Sequence, residues 1–304
     1  MRRLACCGLL LLAWHGAARA ACTVQQRAVV PLTVIQHRLL VPVLVNGVRG
    51  TFVLDTGAER SMVTPDAVRR LGLALDAWVG TRMSGIGGIV EHRNADPRSL
   101  TLGGVALRRR TVTHDTSLTV GAIPSAEIAG QRIDGLLGRD FLSLFDLLLD
   151  PGAGTLALYD VRGCAGPFLP WTHPYVAIPA QQPMDTAMVL PVTLDGVRLQ
   201  ALLDTGATAS MLTARGMVRL GLTPARVARD AASQARGVGP QPARMWQHRF
   251  ARMQVGAEQT QSPLLWVAAI RVVPFVDMLL GEDWLARHRV WISFATSQVF
   301  VAAD

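Results

Sequence analysis

Phe52-Val53-Leu54-Asp55-Thr56-Gly57-Ala58 decides the reading of this chain, because Ala201-Leu202-Leu203-Asp204-Thr205-Gly206-Ala207 repeats it. The neighbours match at the same offset that carries Asp55 onto Asp204. Pro42-Val43 answers Pro191-Val192, Gly47-Val48-Arg49 answers Gly196-Val197-Arg198, Ser61-Met62 answers Ser210-Met211, and Arg70-Leu71-Gly72-Leu73 answers Arg219-Leu220-Gly221-Leu222. One shared tripeptide means little, whereas a colinear match over about thirty residues is an internal duplication. Each half therefore contributes one Asp, placed where an apolar strand runs into a Thr-Gly turn.

Working outward, Thr23 to Leu44 alternates and is rich in Val, Leu and Ile, which predicts strand. Asn46-Gly47 supplies two adjacent positive φ values and predicts a hairpin that feeds the strand ending at Asp55. Asp195-Gly196 does the same before Asp204. A short helix is expected after each turn. Thr64 is its N-cap, Pro65 its first residue, Asp66 complements its N-terminus and Gly72 ends it, with Thr213 and Gly221 framing the second copy.

Ser84-Gly85-Ile86-Gly87-Gly88 is a glycine-dense stretch between strand-like segments, and Gly237-Val238-Gly239 falls near the corresponding place. Both are read as mobile covers or as ordinary flexible turns. Neither has the Lys or the glycine spacing of a phosphate loop. A third repeated element is Asp134-Gly135-Leu136-Leu137-Gly138-Arg139-Asp140, echoed by Asp277-Met278-Leu279-Leu280-Gly281-Glu282-Asp283. Its closing glycine permits close backbone approach, and Asp140 and Asp283 are expected to cap a following helix. Five prolines between Asp160 and Met188 mark a linker.

The chain has 304 residues, 50% hydrophobic and 17% charged, enough for two packed domains. Its net charge of +8 is carried by arginine without a single lysine. Runs such as Arg108-Arg109-Arg110 are short and lack interleaved aromatics, so no nucleic-acid partner is expected. Met1-Arg2-Arg3, the apolar Leu4 to Trp14 and Ala18-Arg19-Ala20 form the three parts of a secretory signal, with cleavage expected after Ala20 and a periplasmic or secreted destination. The apolar run is too short to span a bilayer, and no stable membrane span is expected. A lipid anchor on Cys22 is the less favoured alternative, since Arg19 interrupts the small apolar triplet it would need. With Cys6 and Cys7 in the signal, Cys22 and Cys164 remain to form a disulfide in an oxidising compartment.

Asp-Thr-Gly-Ala after an apolar strand, a Gly-rich flap and a later Leu-Leu-Gly, each present twice, resemble the retropepsin-like aspartic proteases in a tandem single-chain form with a pepsin-like bilobal plan. The resemblance runs from about Pro42 to Leu158 and again from Pro191 onward. It implies an all-β fold of two homologous β-barrel lobes around a central cleft, each with a short helix. The chain divides accordingly into a signal peptide (1–20), a first lobe (21–160), the linker (161–188) and a second lobe (189–304). Asp55 and Asp204 would meet across a pseudo-dyad and activate one water against a peptide bond. Thr56 and Thr205 would lock the turns together, Gly57 and Gly206 would admit backbone N–H groups, and Gly138 and Gly281 would pack behind. Residues 84–88 and 237–239 would close over a bound peptide, although neither flap tip carries the aromatic found in pepsin-like enzymes. By the same resemblance Glu59 and Arg139 would form a bracing ion pair in the first lobe only, since the second has Thr208 and Glu282.

The expected activity is that of an exported aspartic endopeptidase acting on peptides or proteins as a monomer, without metal or cofactor. The alternative is a non-catalytic exported peptide-binding protein of the same fold. Neither Gly-x-Ser-x-Gly nor His-Glu-x-x-His occurs, which removes serine and zinc hydrolases.

Overall fold

The computed structural model describes residues 21–108, 116–123, 126–183, 187–237, 239–271 and 274–303. The expected signal segment, Arg109, Arg110 and Val238 lie outside them. Alternation of buried β-branched and leucyl side chains dictates strands nearly throughout. In Val48–Leu54 and Val197–Leu203 the last three residues are all buried, because these strands run through the middle of their sheets. Asn46 and Gly47 take φ of 52° and 80°, and Asp195 and Gly196 take 48° and 81°, so both hairpins turn where the dipeptides require. The run from Thr23 is broken: Thr23–Pro31, Thr33–Ile35 and Arg38–Val45 are separate strands, the last two joined by Gln36 and His37 at φ of 47° and 59°. That turn carries no glycine, which hides it from a reading of composition.

The two lobes repeat one strand order. In the first, Ala74–Gly85, Gly88–Asp96, Leu118–Val120, Met62–Val63, Gly135–Leu137, Val48–Leu54, Arg38–Val45, Leu100–Leu102 and Val105–Ala106 are neighbours in that sequence. The second lobe runs Ala231–Ala235, Ala243–Arg249, Leu264–Ala268, Met211–Leu212, Met278–Leu280, Val197–Leu203, Val189–Leu194, Arg252–Val255 and Glu258–Gln261. In each lobe the Leu-Leu-Gly strand pairs in parallel with the strand that ends at the Asp: Leu137 lies beside Leu54, and Leu280 beside Leu203. Leu54, Leu137 and Phe141 of the first lobe, and Leu203, Leu280 and Trp284 of the second, are almost completely buried in one continuous apolar core. Each such side chain contributes about 1.5–3 kcal/mol by leaving water.

Short helices follow the turns. Thr64 accepts from the Ala67 N–H at the start of Pro65–Arg70, and Thr213 accepts from the Gly216 N–H at the start of Ala214–Arg219. Gly72 and Gly221 lie at φ of 61° and 63° just beyond. Asp140 and Asp283 do not cap helices. They lie inside Arg139–Leu142 and Glu282–Leu285, whose N-caps are Gly138 and Gly281, and their carboxylates point at serines described below.

A third sheet joins the lobes. Its order is Thr23–Pro31, Thr155–Arg162, Asp146–Asp150, Val290–Ser293, Gln298–Ala302 and Tyr175–Pro179, so the last of these strands comes from the proline-rich segment. Trp291, Phe300, Phe168 and Trp171 pack edge to face on this sheet. Cys22 and Cys164 are disulfide-bonded at its margin across 142 residues. Closing a loop of that length is worth about 4–5 kcal/mol on the chain-entropy account. Among the described residues no helix is long and apolar enough to cross a membrane.

Candidate active site

Both aspartates stand at the mouths of their parallel strand pairs. The Asp55 N–H donates to the Leu137 carbonyl and the Asp204 N–H to the Leu280 carbonyl, each at 2.9 Å. The turns are then locked together by a reciprocal set of four hydrogen bonds. The Thr56 N–H donates to Thr205 Oγ1 (2.9 Å) and the Thr205 N–H to Thr56 Oγ1 (3.1 Å). The hydroxyls donate onward, Thr56 to the Leu203 carbonyl (2.7 Å) and Thr205 to the Leu54 carbonyl (2.8 Å). Both threonines are buried, so these bonds run in a low-dielectric setting where an unpaired partner would be costly.

This lock carries each carboxylate against the glycine of the other lobe. A Cβ added to Gly57 would lie 2.3 Å from Asp204 Cγ, and one added to Gly206 would lie 2.3 Å from Asp55 Cγ. Only glycine fits. The Ala58 N–H donates to Asp55 Oδ1 at 2.8 Å, and the Gly206 and Ala207 N–H groups donate to Asp204 Oδ1 at 2.9 and 3.1 Å.

Behind each turn stands a serine relay. Ser61 donates through both N–H and Oγ to Asp140 Oδ1 (3.0 and 2.6 Å), while its Oγ accepts from the Gly138 N–H at 2.8 Å. Ser210, Asp283 and Gly281 repeat it at 2.8, 2.7 and 3.0 Å. The glycines allow it: a Cβ on Gly138 would lie 2.9 Å from Arg60 C, and one on Gly281 2.7 Å from Ala209 C. The repeated Ser-Met pairs were the visible signal of this relay.

The Glu59–Arg139 ion pair does not form. Arg139 is buried and its Nη1 donates to the Gly57 carbonyl at 2.9 Å. Glu59 opposes the lowering of its pKa by burial, but only from beyond ion-pair distance. The carbonyl inside the turn is the nearer acceptor, and it wins. The second lobe holds its turn differently. Arg38 crosses from the first lobe and its Nη1 donates to the Gly206 carbonyl at 2.7 Å. Glu282, fully buried where Arg139 has its counterpart, is hydrogen-bonded to His37 Nδ1 at 3.0 Å. Neither Arg38 nor His37 was singled out from the sequence, because both lie outside the repeated motifs.

The flaps meet tip to tip above the cleft. Gly85 pairs with Gly88 around the Ile86-Gly87 turn, with Gly87 at φ 94°. The Gly239 N–H donates to the Ile86 carbonyl (2.9 Å) and the Gln241 N–H to the Gly87 carbonyl (3.3 Å). Ile86 packs against the apolar cluster that contains Ala187, Leu202, Met211 and Leu279. A cleft of about 440 Å³ remains between flaps and aspartates, lined by Ser84, Gly85 and Ile86, by Gly237, and by apolar side chains including Met83, Ile123, Met245 and Trp266.

The electrostatics follow from burial and proximity. Burial raises the pKa of both carboxylates. Asp204 is pushed up to about 7, by burial first and by Asp55 second; the rise of Asp55 is opposed by the Ala58 N–H and by Arg38. Two such groups titrate as a pair and retain one proton over an intermediate pH range. A raised folded-state pKa stabilises the fold fully only below the unfolded value of 3.8, and that stability drains away as pH climbs through 7. Tm is therefore expected to fall by several degrees between pH 4 and pH 7, a slope that Asp204→Asn should flatten. Equal slopes in calorimetric scans of both proteins would contradict this.

Residues 41–141 match the aspartyl protease family model and residues 190–287 match the gag-polyprotein aspartyl protease model. The chain belongs to the retropepsin-like aspartyl proteases, in tandem form. The aspartic proteinase from Irpex lacteus is similar in fold, with a TM-score of 0.51 and 11% identity over 93% of this chain and 98% of that one. A comparison with curated proteins returns no match. Thus two lobes of aspartyl protease type share one polypeptide, and the paired aspartates stand at their junction.

Proposed function

We propose that this protein is an exported aspartic endopeptidase that hydrolyses peptide bonds by activating a water between Asp55 and Asp204. The observation that carries the reading is the reciprocal seating of each carboxylate against the other lobe's glycine. Two buried carboxylates held there would be costly to a simple binder, and their shared proton is what the chemistry needs. The ionised member takes a proton from the attacking water. The protonated member donates to the scissile carbonyl as the tetrahedral intermediate forms, and the proton then passes to the leaving amine. Because the pair titrates as a unit, neither residue holds a fixed role.

The flaps would part to admit an extended peptide and close over it, excluding water other than the nucleophile. Pairing within one chain favours a monomer through effective concentration. The signal-like N-terminus and the Cys22–Cys164 disulfide support export to an oxidising compartment.

The test is a mixed peptide library incubated across pH 3–8 and read by mass spectrometry. Internal cleavage that fades as pH rises through about 7, and that a peptide with a hydroxyl in place of the scissile carbonyl blocks, is the expected result. Intact peptides at every pH would defeat the proposal.

A further inference from the structure

The cleft contains more positive charge than its chemistry requires. Its lining carries Arg38 and Arg236 as well as Asp55 and Asp204. One shared proton leaves the aspartates with a single negative charge between them, so one of the two cations has no counter-charge on the lining.

Arg38 stands nearest the reacting groups, feeling both Asp55 and Asp204. One of its five N–H donors is used on the Gly206 carbonyl. Among the described residues it makes no other hydrogen bond and no ion pair, so the rest of the guanidinium edge is available to a ligand. Close to the aspartates the charge is also one-sided. Under the duplication Arg38 corresponds to Ala187, which is buried in an apolar cluster of the second lobe. Beside the aspartates, a peptide lying along the cleft would therefore find a cation on one side of its scissile bond and none on the other, since Arg236 lies out on the second flap.

We propose that Arg38 is a specificity-determining residue which anchors a carboxylate of the peptide substrate, so that the cleft takes acidic segments flanked by apolar residues. A planar guanidinium suits this, since it binds a carboxylate through two parallel N–H donors. The flaps, by covering the site, reduce its dielectric screening. Arg236, exposed on the second flap, adds attraction during approach. This inference rests on the peptidase reading and names its substrate class.

The experiment compares peptides that carry Glu or Gln in turn at each of three positions on either side of an apolar cleavage site. The assay is run at pH 6, where a free Glu side chain is ionised. A Glu-over-Gln ratio in kcat/KM of at least about tenfold is expected at one or two positions on one side only, the size of a good charge-assisted contact. Arg38→Gln keeps a donor for the Gly206 carbonyl and removes the charge; it should bring the ratio to within about twofold of one, whatever the absolute rates. Arg38→Lys should restore most of it.

Peptides ending near the same position as free acid or amide separate an acidic side chain from a chain terminus, and a preference for either supports the anchor. A ratio near one at every position and at the terminus, or a ratio that survives Arg38→Gln, would overturn the proposal. The same peptides titrated onto the Asp55→Asn protein by fluorescence anisotropy read the preference without turnover. Failure of hydrolysis with an intact binding preference would sink the peptidase reading and spare this one.

Discussion

Asp55→Asn is expected to lower kcat/KM by roughly 10³-fold or more, and Asp204→Asn by a similar factor. Either change removes the proton-sharing arrangement. An amide at Asp55 can still accept from the Ala58 N–H, and one at Asp204 from the Gly206 and Ala207 N–H groups, so the turns should keep their shape. Because the two groups act as a unit, the double variant should be no worse than either single one. Additive losses would instead mean that the residues contribute separately, and that the shared-proton account is wrong. Loss of a destabilising buried charge should leave each variant at least as heat-stable as the parent near neutrality. A variant that hydrolyses at the parental rate ends the proposed mechanism.

Gly206→Ala should be nearly as damaging for a different reason. The new methyl would sit 2.3 Å from Asp55 Cγ, which no real contact tolerates. Either Asp55 swings away or the second turn retreats. Retreat would disturb the Thr205 N–H and hydroxyl bonds to Thr56 and Leu54. A displacement of about 1 Å costs on the order of 10²-fold in rate, and overpacking of this kind costs about 1–3 kcal/mol of stability. Both kcat and Tm should therefore drop together. Gly152→Ala is the matched control. Its Cβ would meet only Asp150 Oδ1 at an ordinary 3.7 Å, so activity and Tm should hold. Equal behaviour of the two variants would show that the reciprocal seating of carboxylate and glycine is not as tight as described.

Much of this was legible in the amino acids because the deciding patterns are short. Asn46-Gly47 and Asp195-Gly196 announce hairpins, Thr64 and Thr213 announce helix starts, and the duplication announces two lobes of one β fold. What escaped is what depends on partners distant in sequence. The six-stranded sheet between lobes draws on Thr23–Pro31 and Gln298–Ala302, strands whose pairing no local pattern encodes. Asp140 resembles a helix cap until Ser61 is brought beside it. Glu59 and Arg139 have complementary charges, yet a backbone carbonyl in the turn is a better-placed acceptor. Arg38 and His37 look like ordinary members of a strand-rich run. Their role appears only when a turn without glycine, at positive φ, delivers them to the second lobe. The exchange of Arg139 for Glu282 between the lobes was visible, but its structural answer, an arginine donated from the other half, was not.

The strand Val290–Ser293 lies between Asp146–Asp150 and Gln298–Ala302. An edge of the first half therefore stays bare until residues 290–293 reach it. Long-range pairings of this sort form late, and an exposed edge invites association with other chains. The joining of the two halves thus waits on a strand far along the chain, and a product cut short before Val290 would present a sticky ribbon in place of a finished cleft.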